Sequence, residues 1–189
     1  MSKVTFDEFD NCEVKEASIK FKSASAAIKF GCLGNINVSA NTTTKEKKCE
    51  GRVVKRRTKV SDLTVGLTSH VNRTVDKQFV GMSNEGLKKG VYAYGESSFC
   101  EDFIFTCVIE DMDGNRKLIA FPNCSNAKGL ILSVDNDASE IALKDLEITA
   151  MIDDYGNCYY EAEEADLEDA TVKDTWLTNF SYDLVKLGE

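Results

Sequence analysis

Alternation of apolar and polar positions with a period of two dominates the chain. Ile19 and Phe21 are spaced by two, and so are Ile28 and Phe30. In residues 35–41, Ile36, Val38 and Ala40 take one face while Asn35, Asn37, Ser39 and Asn41 take the other. In residues 60–67, Leu63, Val65 and Leu67 alternate with Asp62, Thr64 and Gly66. This rhythm, with its β-branched residues, predicts half-buried strands. One stretch breaks it. Val71, Val75, Phe79 and Met82 stand four, four and three apart, the spacing of a helical stripe. Thr68 or Ser69 is the expected N-cap, and the region from Gly81 to Gly86 the expected stop. As the one clear helix, it is expected to flank a sheet.

The strand signals continue downstream. Asp113–Gly114 between two strand-like runs suits a tight hairpin turn. Phe103, Phe105, Cys107 and Ile109 share one face, and Ile104, Thr106 and Val108 the other. A strand apolar on both faces needs two covers: the helix and a neighbouring subunit are the expected ones. Pro122, the only proline, is expected at a strand end or edge. Residues 141–152 alternate, Asp154–Tyr155–Gly156–Asn157 turn, and residues 158–165 return as a second hairpin. Phe180, Tyr182 and Leu184 alternate and predict a last strand. With no linker or repeat, residues 1–189 are expected to form one mainly-β domain. Its expected parts include an N-terminal arm at 1–16, a long hairpin loop at 41–59 and a C-terminal segment at 165–189.

Composition narrows the chemistry. No apolar run reaches the roughly 18 residues of a membrane-spanning helix, and the start lacks the pattern of a secretory signal. Seven cysteines without C-x-x-C spacing, beside a single histidine, His70, predict free thiols, several of them core hydrophobes. His70 has no nucleophile motif near it, so no catalytic residue is expected. Placing Gly114 at position six of a calcium loop puts Ile109 and Ala120 at positions one and twelve, where neither offers an oxygen. No metal or other cofactor is expected. Acidic pairs such as Asp153–Asp154 and Glu163–Glu164 read as solvated or interface charge.

Charge is distributed unevenly. The net formal charge is −9. Residues 135–189 hold sixteen acidic side chains against three lysines, yet KEKKCEGRVVKRR at 45–57 holds seven basic ones against two acidic. The basic run lacks the interleaved aromatic residues of a nucleic-acid platform. Gly51 sits between two polar, extended arms, as in a long hairpin. It is expected either to be a solvated, mobile loop or to dock on an acidic surface of another copy.

The order of these parts resembles the major tail tube proteins of long, non-contractile-tailed bacteriophages. The resemblance spans most of residues 15–187 and rests on LGN before the long hairpin, the helix ending FVGM, GVYAYGE, and the hairpin at DMDGN. It implies a β-sandwich or split barrel with one flanking α-helix and no C-terminal immunoglobulin-like domain. It implies six copies closing into a ring whose sheets join into one inner β-barrel. Rings would stack into a tube, a virion part assembled in the host bacterial cytoplasm. Implied partners are the chain itself, a tape-measure protein in the lumen, tail terminator and distal tail proteins at the ends, and phage DNA in transit, with no membrane.

On that footing Lys45, Lys47, Lys48, Arg52, Lys55, Arg56 and Arg57 are expected to make the inter-ring contact. Asn35, Asn37, Ser39, Asp62, Thr64, Asp145, Glu147 and Thr149 are the expected lumen lining, because a wall of acids and small polar groups would not hold phosphates. The tube protein of a contractile tail, bacteriocin or type VI secretion particle is the nearest alternative. A monomeric β-sandwich binding module is the alternative from another class.

Overall fold

A computed structural model of the chain describes residues 9–134 and 143–188. The strands are β1 (Glu13–Phe21), β2 (Ile28–Lys29), β3 (Gly31–Cys49), β4 (Arg52–Val71), β5 (Phe103–Glu110), β6 (Arg116–Asn126), β7 (Lys144–Met151) and β8 (Tyr160–Glu163). The helices are α1 (Arg73–Phe79), α2 (Ala170–Asn179) and α3 (Tyr182–Val185), with a short 3-10 turn at Glu164–Asp166. The fold is mainly β, as the alternation predicts. The expected arm at 1–16 begins outside the described residues and already belongs to the sheet from Glu13, which pairs with Glu110.

All strand pairs are antiparallel, in the order β2-β1-β5-β6-β7-β4-β3, with β8 beside β6. The two ends of that order, β2 and β3, are joined through Phe30. Its N–H donates to the Ala17 carbonyl at 2.9 Å, and its own carbonyl accepts from Asn72 N–H at 3.1 Å. The sheet therefore curls back on itself as a split barrel. Its interior is packed by phenylalanine: Phe21, Phe30, Phe79, Phe103, Phe105 and Phe121 are all buried. Phe30 meets Phe79 and Phe105 edge-on at 5.9 and 5.3 Å between ring centres, the arrangement that ring quadrupoles favour.

Helix α1 supplies Val75 and Phe79 to that interior. It is shorter than the stripe suggested, because β4 continues to Val71. The N-cap is Asn72, whose Oδ1 accepts from Thr74 N–H at 3.0 Å, rather than Thr68 or Ser69. The helix stops at Gly81, which has a φ of +72°. A Cβ there would lie 2.1 Å from the Phe99 carbonyl oxygen, so both dihedral and space require glycine.

Strand β5 is covered on both faces, but by this chain alone. The second cover is α2, where Trp176 and Phe180 close over Val108, Leu118 and Ala120. The expected neighbouring subunit is not needed there. The expected last strand is also replaced: residues 170–185 form α2 and α3. Asp169 caps α2 by accepting from Thr171 N–H at 2.8 Å. Trp176 and Phe180 stand four apart, so the helical period, not the alternation of Phe180, Tyr182 and Leu184, governs this segment.

The turns correct two further expectations. The β5–β6 connection runs from Asp111 to Asn115, and Asp111 is its hub. The Asp111 Oδ1 accepts from Asp113 N–H at 2.9 Å and Asn115 N–H at 2.8 Å. Residues 153–157 repeat the device: Asp153 Oδ1 accepts from Tyr155 and Asn157 N–H, both at 2.9 Å. The shared pattern is Asp-x-x-Gly-Asn. The second turn does not close a hairpin, however. Strands β7 and β8 lie one after the other along the same edge of β6, so β8 pairs with β6 and not with β7.

Candidate functional site

Strands β3 and β4 are far longer than the barrel. Their pairing continues, with bulges at Ser61 and near the tip, to Cys49↔Arg52, so the expected loop at 41–59 is a two-stranded ribbon. Pairing with β7 ends at Asp62↔Met151. Beyond that point the ribbon extends roughly 25–30 Å at ~3.4 Å per residue. The turn is Glu50–Gly51, with φ of +50° and +78°. Positive φ at both central residues is the requirement of a type I′ hairpin turn.

Register sorts the ribbon into two unlike faces. Lys45 lies opposite Arg57, and Lys47 opposite Lys55. Thr43↔Lys59 and Cys49↔Arg52 continue the same face, which carries six basic side chains and no acid. The other face pairs Thr44 with Thr58 and Glu46 with Arg56. There Arg56 Nη2 meets Glu46 Oε1 at 2.6 Å. Of the seven basic residues singled out in the sequence, the structure puts Lys45, Lys47, Arg52, Lys55 and Arg57 together and turns Lys48 and Arg56 away. Among the described residues, only Arg56 of the seven forms an ion pair. Like charges directly opposite each other destabilise a ribbon. Lys59 joins this face because of a bulge at Ser61, which shifts parity along β4 and is invisible in the sequence pattern.

The eight expected lining residues fall on one exposed sheet face. Four rows cross β3, β4 and β7: Asn35–Thr68–Asp145, Asn37–Gly66–Glu147, Ser39–Thr64–Thr149 and Asn41–Asp62–Met151. Asn41, Thr68, Gly66 and Met151 belong to the face but were not singled out. Asn41 Nδ2 donates to Asp62 Oδ1 at 2.6 Å and to Thr64 Oγ1 at 2.9 Å. Glu147 meets Lys128 at 3.3 Å. The surface is polar, weakly acidic and ordered by its own hydrogen bonds. It runs directly into the basic face of the ribbon.

The opposite face of β3 is uncovered near the ribbon root. Val38 and Val60 are 45% and 46% exposed, although the alternation groups Val38 with the apolar face; Val60, of polar parity in the sequence, reaches this face through the bulge at Ser61. Together with Ile36, Leu63, Ile109 and Tyr159 they line a groove of about 740 Å³. Among the described residues, the outer edge of β3 has no partner strand. Residues 31–41 on that edge carry no charge and no proline, so the edge lacks the usual protections against pairing with another chain.

The cysteines are free. Cys107 and Cys124 are buried in the barrel, and burial pushes the Cys107 thiol up to about 12. His70 is exposed at the end of β4. Among the described residues no group of His, Cys, Asp or Glu is arranged to hold a metal ion, and no helix is long and apolar enough to cross a membrane.

No family model matches the chain. About half of it is similar to part of a much longer enzyme. It is 37% identical over 91 residues to the aspartate–tRNA(Asp/Asn) ligase of Prochlorococcus marinus strain MIT 9515, covering 48% of this chain and 14% of the ligase. The ligase of strain AS9601 matches with the same identity and coverage. The chain thus spans only about 14% of the length of these curated relatives, a likeness to a fragment.

Proposed function

We propose that the chain is a structural subunit that assembles with copies of itself into a tube, as a tail tube protein of a long-tailed bacteriophage does, and that it performs no catalysis. The observation that carries this reading is the ribbon. It extends the barrel's own strands into solvent, concentrates six basic side chains on one face, and leaves them without acidic partners among the described residues. A subunit that must grip its neighbour gains from such an arm, and the acidic surface it needs is present in the same sequence. The unprotected edge of β3 and the uncovered Val38 and Val60 support lateral contact between neighbours in a ring. The polar rows across β3, β4 and β7 suit the wall of a conduit for DNA, which must not retain phosphates.

Ionic strength tests this reading. Sedimentation velocity at rising protein concentration should show association at low salt. Raising the salt should weaken stacking without unfolding the subunit, because exposed charges more than about 8–10 Å apart are largely screened under these conditions. A chain that sediments as a monomer at every concentration and salt overturns it.

The likeness to a piece of aspartate–tRNA ligase, together with the basic ribbon, favours one second reading: a module that contacts RNA phosphates. That reading requires tight, salt-sensitive binding of tRNA by the isolated chain. The tube reading requires that such binding be weak.

A further inference from the structure

Beyond Phe30, where the sheet closes on itself, the barrel is left open. The outer side of β1 meets β2 only at Ser18 and Ile19, so Glu13–Glu16 have no partner there among the described residues. Residues 33–41 of β3 pair only with β4. No backbone hydrogen bond joins these two bare edges among the described residues. They are the banks of the groove of about 740 Å³ at the ribbon root, which residues 11–14 border on one side and residues between 34 and 40 on the other. Its apolar lining is Leu63, Ile109 and Ile119, with Ile36, Val38 and Val60 beside them.

Two bare strand edges flanking an apolar floor meet the requirements of strand addition. Main-chain hydrogen bonds hold the incoming segment, and its alternate side chains fill the floor. To pair with both banks, that segment must have both of its own edges free. Every described strand of this chain has at least one edge occupied, and the two strands of the ribbon occupy each other's. No described strand of a second copy can therefore pair with both banks. Charge narrows the occupant further. At the β1 bank Glu13 lies opposite Glu110, with Lys15 shared between them. Glu161 also borders the groove, and Lys117 approaches Glu163 at 3.9 Å. Four carboxylates thus meet two ammonium groups on that side, while residues 31–41 of the other bank carry no charge.

We infer that the groove is a slot for one extended segment of a different polypeptide, apolar at alternate positions and basic at the end that meets Glu13 and Glu161. The segment pairs with β1 and β3 together and completes the barrel. It covers Val38, Val60 and the bare edge of β3, the surface that the self-assembly reading gives to a neighbouring copy. A chain that holds the segment cannot offer that edge, so the partner keeps the subunit apart from its copies until the segment leaves. Binding of the segment stands without the self-assembly reading; only this consequence rests on it.

Selection of a synthetic library of octapeptides, apolar at alternate positions and ending in lysine, against the full chain tests it. The tightest peptide should bind one to one and slow hydrogen exchange of the amides at 13–16 and 33–41. N-methylation of its alternate amides, which leaves the protein untouched, should weaken binding at least tenfold. Val38→Lys, in a chain still folded by circular dichroism, should do the same. Saturating peptide should raise the concentration at which the full chain associates. A selection that yields nothing tighter than scrambled peptides of the same composition, or protection confined to other residues, overturns the inference and leaves self-assembly standing. Protection of both edges by raising the chain concentration without peptide shows that a copy fills the slot, and overturns it as well. A chain that binds the peptide as expected and never associates overturns self-assembly alone.

Discussion

At the scale of single residues, Asp111 shows how a short side chain defines a turn. It is buried and accepts from the Asn115 side chain at 2.7 Å as well as from two backbone N–H groups. The Asn115 side chain first, and the backbone donors after it, hold its carboxyl below the ordinary value of 3.8, against the opposing effect of burial. A carboxyl depressed in the folded state adds stability that is present above its unfolded pKa. That stability is lost as pH falls through the folded value. Asp111→Asn keeps one acceptor oxygen but removes the charge, so it should lower stability at pH 7 and flatten the loss below about pH 4. Urea midpoints of the two proteins between pH 2.5 and 7 check this; parallel curves contradict it. The Asp-x-x-Gly-Asn pattern is legible at 111–115 and 153–157, but only the Asp-Gly and Gly-Asn portions are familiar turn signals. The hub role of the first Asp depends on where its carboxylate points, which spacing does not state.

At the scale of elements, period two identified β1, β4 and β7 because one face of each is buried, while β5, buried on both faces, was identified by its apolar run. The helical stripe identified α1 for the same reason. Where both periods fit, the pattern misled. Phe180, Tyr182 and Leu184 alternate, yet Trp176 and Phe180 are a helical pair, and burial on the outer face of β5 and β6 decided between them. The prediction that β5 is doubly covered was sound, but its second cover lies in α2 rather than in another subunit. Trp176 carries that cover with Phe180, their ring centres 4.8 Å apart. Trp176→Ala should cost ~3–5 kcal/mol, as large aromatic truncations in packed cores do, and should expose Val108 and Ala120. A urea midpoint within error of the parent protein would show that α2 is dispensable to the fold. The ribbon was legible as an excursion, since Gly51 between charged arms signals a hairpin. Its two faces were not, because the bulge at Ser61 changes the parity of everything beyond it.

At the scale of the whole molecule, two surfaces are unfinished in the single chain. The ribbon holds like charges face to face, and among the described residues the outer edge of β3 is bare. Each is unfavourable alone, and on the proposed reading another copy would relieve both. The lining residues chosen by parity do share one face, because no bulge interrupts β3, β4 and β7 between the rows from Asn35 to Asp62. Shortening the ribbon separates assembly from folding. Replacing residues 43–59 by Asn-Gly joins the paired residues Thr42 and Val60, removes the arm and leaves the barrel, whose pairing with β7 begins at Asp62, intact. Electron microscopy of concentrated full chain should show hollow tubes, and the shortened chain, folded by circular dichroism, should form none. Tubes that grow equally well without the ribbon, or a full chain that stays monomeric at every concentration, would contradict the account.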